Sequence, residues 1–228
     1  MEKKEKLVII GLGETADLAT DYFQSDSEYE VCGYAADAKY VDNTTGMLNG
    51  LPVVRVEDLQ EKYPLSEYKV FVAMGYGHLN HDRTNMYNRI KTMGYKFASY
   101  ISSRAFIANN VKLGDNCFIL ENNVIQRNVS IGNNVYLWSG NHIGHRTKIA
   151  NNVFFSSHVA ISGFCSIGDN CFLGINCCVG DGVNIAEGCF IGGGVVLMHD
   201  TVKGELYRAP RAEAERLKTC VIFGLEEA

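Results

Sequence analysis

The chain has 228 residues, a net charge of −5 and no long basic run, a balance that argues against nucleic acid as its partner. Its first apolar run, residues 7–10, is too short for a secretion signal or a membrane span. We therefore expect a cytoplasmic protein that does not cross a membrane. A change of sequence pattern near Tyr100 predicts two main domains, residues 1–100 and 101–200, followed by a capping segment, residues 201–228.

The first hundred residues read as alternating strands and helices. Residues 7–10, 29–34 and 70–74 are typical of buried strands, and residues 15–23 are typical of a helix. This order predicts a small Rossmann-like α/β unit built on a parallel sheet.

Glycine-containing loops follow two of these strands. Gly11 and Gly13 lie between the first strand and the first helix, and Gly75 follows the strand that ends at Met74. Because ligands gather at the carboxyl ends of parallel strands, we expect these glycines to line one pocket with Asp37 and Arg83. The pocket would hold the nucleotide part of a substrate, and Arg83 would offer charge to its diphosphate. A plain tight turn at the first loop and a solvated helix face at Arg83 are the alternatives.

From residue 107 to residue 196 the chain keeps a period of six residues through fifteen hexapeptides. The first position is apolar and branched or aromatic in every one: Ile107, Leu113, Ile119, Ile125, Ile131, Leu137, Ile143, Ile149, Phe155, Ile161, Ile167, Leu173, Val179, Ile185 and Ile191. An amphipathic helix would need apolar spacings of three and four, so the period predicts a parallel β-solenoid with three hexapeptides in each coil.

The fifth position of the hexapeptide is small or medium-sized, and five of the eight cysteines occupy it: Cys117, Cys165, Cys171, Cys177 and Cys189. We expect these cysteines to be small core residues and not disulfide or metal partners. After the last coil, residues 213–228 are expected to form a terminal helix and a strand-like end at residues 220–225.

His145 is the histidine whose position points to chemistry. It occupies the third place of its hexapeptide, near a corner, and Gly163 lies eighteen residues further on, one coil above at the roughly 4.8 Å spacing of paired strands. The Gly163 N–H could hold a thioester carbonyl while the His145 imidazole takes a proton from an attacking amine or hydroxyl. The alternative for His145 is an exposed or subunit-interface histidine.

A metal site is a further alternative. His142, His145 and His158 could ligate zinc between subunits, as in β-helical carbonic anhydrases, although the ligand spacing differs and those enzymes lack the N-terminal α/β unit. We expect no metal.

The short α/β unit, the five coils and the run IGDNCFLGIN at residues 167–176 together resemble the bacterial hexapeptide-repeat sugar acyltransferases. That family includes N-acetyltransferases of nucleotide-linked 4-amino-sugars and sialic acid O-acetyltransferases. The resemblance implies a left-handed β-helix, with His145 as the base and the Gly163 amide as the acyl-oxygen donor.

The same resemblance implies contacts to acetyl-CoA in a groove between the subunits of a homotrimer. The residues it places on the coenzyme are Gly163, Ile175, Gly193, Arg208 and Arg211. Asn141 and His142 would lie at the subunit seam, with His142 near the substrate.

Two positions depart from the family pattern. Members commonly carry Asp or Glu directly after the base, whereas this chain has Arg146, so the sequence leaves open which group orients His145. The first glycine loop has Glu14 and Thr15 where the amino-sugar enzymes commonly show Gly and His, which leaves the nucleotide open.

The expected function is acetyl transfer from acetyl-CoA to the amino group of a nucleotide-linked deoxy amino-sugar destined for a surface glycan, by direct attack. O-acetylation of a sugar or a different acyl donor is the nearest alternative. The alternative from another class is a solenoid scaffold with a ligand-binding α/β domain.

Overall fold

The computed structural model describes residues 4–43 and 46–226. The outer ends of the first and last predicted segments, residues 1–3 and 227–228, lie outside these ranges. None of the helices in the described part of the chain has the length and hydropathy of a membrane span.

The N-terminal unit is a parallel sheet with helices packed on it. Its strands are β1 (Glu5–Ile10), β2 (Tyr29–Ala36), β3 (Met47–Leu48), β4 (Leu51–Arg55) and β5 (Tyr68–Val72), arranged in the order β3-β4-β2-β1-β5 with only β3 antiparallel. Its helices are α1 (Glu14–Ser25), α2 (Ala38–Val41), α3 (Leu59–Lys62) and α4 (His81–Thr92), with a 3₁₀ turn at Val56–Asp58. The predicted Rossmann-like unit is confirmed.

Residues 100–207 wind into a triangular β-helix with three flat faces. The first is the covered face, whose strands are β6 (Tyr100–Ile101), β9 (Phe118–Ile119), β12 (Tyr136–Leu137), β15 (Phe154–Phe155), β18 (Phe172–Leu173), β21 (Phe190–Ile191) and β23 (Leu206–Tyr207). The polar face comprises β8 (Lys112–Leu113), β11 (Ser130–Ile131), β14 (Lys148–Ile149), β17 (Ser166–Ile167) and β20 (Asn184–Ile185). The free face comprises β7 (Phe106–Ile107), β10 (Val124–Ile125), β13 (His142–Ile143), β16 (Ala160–Ile161), β19 (Cys178–Val179) and β22 (Val196–Leu197).

The coils stack in the register that the hexapeptide period predicts. His142 pairs with Val124 on one side and Ala160 on the other, each eighteen residues away. Strand pairing starts one rung before the predicted repeat, at Tyr100, and continues beyond it to Tyr207. The rung added at the start keeps the same spacing, because Ile101 precedes Ile107 by six residues.

The interior is filled as the repeat predicts. The cysteines at the fifth position are buried in the same core as the first-position residues. Burial raises the pKa of the Cys117, Cys171 and Cys177 thiols to about 12, so these groups stay neutral and behave as small apolar side chains.

From the second hexapeptide onward, the corners turn through residues in the left-handed backbone region at the fourth position. Most of these residues are Asn or Gly, which adopt this conformation at the lowest cost. Three corner residues depart from that rule: Arg146, His158 and Phe164, with φ between 59° and 62°.

The α/β unit packs on the aromatic side chains of the covered face. Phe71 of β5 stacks on Tyr136 with ring centroids 5.9 Å apart, and Tyr76 packs on Phe154 and Phe172 at 5.1 and 4.7 Å. This apolar joint buries the face that the α/β unit covers, and it leaves the polar and free faces uncovered within the chain.

The C-terminal segment forms a helix, α5 (Thr219–Phe223), where a strand-like end was expected at residues 220–225. That expectation is wrong. Gly224 adopts φ 64° and ends the helix as a left-handed cap. Before it, Thr201 and Gly204 donate backbone hydrogen bonds to Asn184 and Glu187, which closes the last coil.

A carboxylate also ties the end of α1 to the start of the β-helix. Asp26 accepts hydrogen bonds from the Ser103 N–H at 2.9 Å and the Tyr100 hydroxyl at 2.8 Å. These bonds, the Ser103 amide foremost, lower the pKa of Asp26 to about 2.

We expect Asp26→Asn to weaken this tie in a pH-dependent way. The depressed pKa means that the carboxylate contributes stability above its usual pKa of 3.8 and loses it as the pH falls toward 2. The variant should therefore lose about 1 kcal/mol of unfolding free energy at neutral pH, a value reduced by solvent screening, and little near pH ~2.5. Urea unfolding of both proteins at the two pH values checks this, and an equal loss at both would contradict it.

Candidate functional site

His145 lies at the corner between the free face and the polar face. Its ring is half-buried, and its Cε1 would lie only 2.7 Å from a Cβ built on Gly163. The glycine backbone therefore passes directly beside the imidazole, and any larger residue at position 163 would displace the ring. The structure brings His145 and Gly163 together as the stacking of coils predicts, while their chemical roles stay predictions.

Gln126 contacts the same histidine from the preceding coil. Its Oε1 accepts a 2.8 Å hydrogen bond from the His145 backbone N–H and lies 3.2 Å from the ring Nδ1. No motif in the sequence had indicated a role for Gln126.

Two of the unusual left-handed residues surround the histidine. The Phe164 ring meets the His145 ring edge-on at 5.0 Å, and the Arg146 guanidinium lies 5.8 Å from the Phe164 ring. Conformations of this kind cost of order 1–3 kcal/mol each and cluster at functional sites. Sequence could have revealed them, because Asn or Gly occupies most other corners at this position.

Gly163 lies at the His145 corner, but the other residues expected to contact the coenzyme lie at a different corner, between the covered face and the free face. Ile175 is half exposed, and a Cβ on Gly193 would lie 3.1 Å from its Cγ2. Arg208 and Arg211 are exposed and follow the last covered-face strand. The free face separates this coenzyme corner from the His145 corner, so one chain does not bring the two sets together.

The two residues expected at the subunit seam differ in placement. His142 is exposed on the free face. Asn141 is buried inside the coil, where it donates to the Trp138 carbonyl and accepts the Val159 N–H, so its predicted position at the seam is wrong. Asn141 occupies the inward fifth position of its hexapeptide, which explains the burial.

The third histidine of the zinc alternative, His158, is exposed at the corner between the covered and free faces. The described residues contain no group of three or more His, Cys, Asp or Glu side chains that could hold a metal ion.

A cavity of about 600 Å³ opens at the carboxyl ends of β1, β2 and β5. Gly11, Gly13, Asp37 and Gly75 line it together, as expected from the two glycine loops. Gly11 has φ 135° and a Cβ there would lie 2.5 Å from the Ala73 carbonyl oxygen, so this turn requires glycine.

The charges at this pocket are arranged differently from the expectation. Glu14 lines it in the first turn of α1, and Asp37 accepts a 2.5 Å hydrogen bond from Arg89, which also bonds Glu57 at 2.7 Å. Arg89, for which no sequence motif predicted a role, thus holds the acidic residue of the pocket in place.

Arg83 lies in the joint between the two units and not at the pocket. It is fully buried, donates to the Gly75 carbonyl at 2.9 Å and the Asn152 carbonyl at 3.0 Å, and lies 4.4 Å from the Tyr136 ring centroid. Burial lowers its pKa to about 10, so it remains a cation at neutral pH. The predicted diphosphate contact of Arg83 is wrong, because α4 turns this side chain toward the β-helix.

Comparisons with known proteins agree with this architecture. Residues 98–210 match the family described as the GMPPB C-terminal domain. No curated protein sequence matches the chain significantly.

Solved structures match nearly the whole chain. The acetyltransferase domain of PglB from Neisseria gonorrhoeae, in complex with acetyl coenzyme A, has a TM-score of 0.78 at 20% identity and covers 90% of this chain and 96% of its own. A mutant perosamine N-acetyltransferase from Caulobacter crescentus, in complex with CoA and GDP-perosamine, has a TM-score of 0.78 at 23% identity and covers 88% and 92%. WeeI from Acinetobacter baumannii has a TM-score of 0.62 at 17% identity and covers 84% and 95%. The chain therefore has the fold of the hexapeptide-repeat sugar acetyltransferases, an α/β unit followed by a left-handed β-helix.

Proposed function

We propose that this protein transfers the acetyl group of acetyl-CoA to the amino group of a nucleotide-linked deoxy amino-sugar. The observation that carries the proposal is the imidazole of His145 lying against the backbone of Gly163 at an open corner. The ligands of the similar structures, acetyl coenzyme A in one and CoA with GDP-perosamine in another, support the choice of substrates. We place the reaction in the cytoplasm, on a precursor of a surface glycan.

The chemistry is a direct attack. The amino nitrogen adds to the thioester carbonyl carbon while the Gly163 N–H stabilises the developing oxyanion. His145 takes the proton that the nitrogen loses, the C–S bond breaks, and the proton passes to the departing thiolate. The products are the acetamido sugar and free CoA, with no acyl-enzyme intermediate.

We propose that the working unit is a homotrimer, because the two halves of the site occupy opposite edges of the free face. The outward side chains of that face are largely apolar and exposed, among them Phe106 at 63% and Val196 at 65%. Association through this surface would bury apolar area and bring the His145 corner of one chain to the coenzyme corner of its neighbour. Sedimentation should give three times the chain mass of 25.2 kDa, and a monomer would contradict the assembly.

We propose that the nucleotide part of the sugar binds in the α/β pocket. Gly13 is the N-cap residue directly before α1, and a Cβ at this position would have no atom of the described residues within 4 Å. The free N–H groups of a helix N-terminus suit an anion. Asp37 would accept hydrogen bonds from a ribose or base.

We expect Gly13→Ala to weaken sugar binding specifically. Its backbone, with φ −93°, accommodates alanine, so the cost to folding should stay below about 1 kcal/mol. The added methyl group would block close approach of the ligand and lower affinity for the nucleotide-sugar about tenfold, or roughly 1.4 kcal/mol. Titration calorimetry with sugar and with CoA checks this, since CoA affinity should not change. Equal loss for both ligands would contradict the assignment of the pocket.

The reaction itself is tested with UDP-, dTDP- and GDP-linked 4-amino-sugars. Thiol release from acetyl-CoA, followed by the mass and amide position of the product, should identify one sugar that is N-acetylated. A product acetylated on a hydroxyl would show that the protein is an O-acetyltransferase. Thiol release only from a longer acyl-CoA would show that the acyl donor is not acetyl-CoA. No thiol release with any donor and sugar would favour the alternative of a non-catalytic solenoid scaffold.

A further inference from the structure

Gln126 supplies the contact that the sequence left open at His145. It sits one coil below, directly after Ile125 of the free face, and its side chain is half-buried. Its Oε1 is shared by two nitrogens of the same histidine, the backbone N at 2.8 Å and the ring Nδ1 at 3.2 Å.

This shared contact fixes the amide orientation and the histidine tautomer. A backbone N–H can only donate, so the Gln126 atom facing it must be the carbonyl oxygen. The same oxygen faces Nδ1, and two lone pairs in contact would repel, so Nδ1 carries the proton. Nε2 is then the unprotonated nitrogen.

We propose that Gln126 is the positioning residue that holds His145 in the Nδ1–H tautomer, with Nε2 free to accept a proton from the substrate. This inference rests on the proposed function for its catalytic meaning and on the contact alone for the tautomer. The residue after His145 is Arg146, which cannot accept a hydrogen bond from the imidazole. The neutral amide oxygen of Gln126 would therefore orient the ring in place of an adjacent carboxylate.

The surroundings leave Gln126 as the acceptor for Nδ1. Arg127 and Arg146, which directly follow Gln126 and His145 in sequence, are exposed cations without an acceptor atom. Phe164 meets the ring edge-on and offers apolar contact. A neutral acceptor orients the ring without adding a negative charge beside it.

The decisive test is the ¹⁵N NMR spectrum of the imidazole in the unliganded protein under alkaline conditions, where the ring is neutral. The His145 signals are assigned by their loss in His145→Gln. We expect a protonated Nδ1 and an unprotonated Nε2 in the native protein, and a mixture of tautomers in Gln126→Leu. An Nε2–H tautomer in the native protein, or an unchanged spectrum in the variant, would overturn the proposal.

Kinetics give a second readout that loss of structure would not imitate. Gln126→Leu should lower kcat about tenfold with an unchanged KM for acetyl-CoA. The control is Gln24→Leu, which should leave both constants unchanged because Gln24 is exposed on α1. Gln126→Glu should restore kcat and move the acidic limb of the pH profile upward by roughly one unit, because a carboxylate stabilises the imidazolium. Failure of the glutamate variant to restore kcat or move the profile would count against positioning. Because the NMR test needs no substrate, an inactive protein with the expected tautomer would refute only the proposed reaction.

Discussion

Replacing His145 by alanine should lower kcat for acetyl transfer by a factor of about 10²–10⁴, the usual contribution of a positioned general base. The ring is the only part of His145 that reaches the open corner beside Gly163, so the loss should fall on the chemical step. KM for acetyl-CoA should change little, because the coenzyme is proposed to bind mainly at the other corner.

His81→Ala is the matched control, because this histidine is exposed at the start of α4 and away from the β-helix corner. It should retain native kcat. Initial rates of thiol release with the sugar that the native protein accepts decide the matter, with circular dichroism to confirm folding. A His145→Ala protein that retains more than about a tenth of native kcat would exclude the general-base role.

Replacing Arg83 by alanine should cost about 3–5 kcal/mol of unfolding free energy, as for other large side chains removed from a packed interior. The guanidinium fills the joint between α4 and the covered face, and its removal leaves a cavity and unpaired carbonyl groups at Gly75 and Asn152. Arg83→Lys should recover only part of the loss, because an ammonium group lacks the planar fork that reaches both carbonyls.

Arg127→Ala serves as the control, since this arginine is exposed and should change stability by no more than about 0.5 kcal/mol. Urea unfolding is followed by the fluorescence of Trp138, the single tryptophan, which lies beside Phe154 near the joint. A loss below about 1 kcal/mol for Arg83→Ala would show that the joint does not depend on its cation.

The β-helix could be predicted from sequence because its determinant is local and periodic. Each first-position residue, such as Ile143, faces the prism interior for the same reason as the residue eighteen positions away, Ile161. The close approach of His145 and Gly163 follows from the same eighteen-residue spacing. The pocket glycines were also predictable, because the carboxyl ends of neighbouring parallel strands meet at one edge.

The errors arose where tertiary packing decides. Arg83 was expected at the pocket because it opens a helix after a glycine loop, but the face on which that helix packs determines where the side chain goes. The sequence did carry a signal for this packing, because aromatic residues recur every eighteen residues at an outward position where an exposed side chain would usually be polar. These residues are Phe118, Tyr136, Phe154 and Phe172. The contact of Gln126 with His145 could not be predicted from the repeat, because it depends on how far one side chain extends to the next coil.

A crystal structure of the protein with acetyl-CoA would test the arrangement most directly. We expect the thioester oxygen within hydrogen-bond distance of the Gly163 N–H and beside His145, with the pantetheine arm running along Ile175 and Gly193 of a neighbouring protomer. A coenzyme bound away from Gly163, or held entirely within one chain, would contradict the site proposed for this protein.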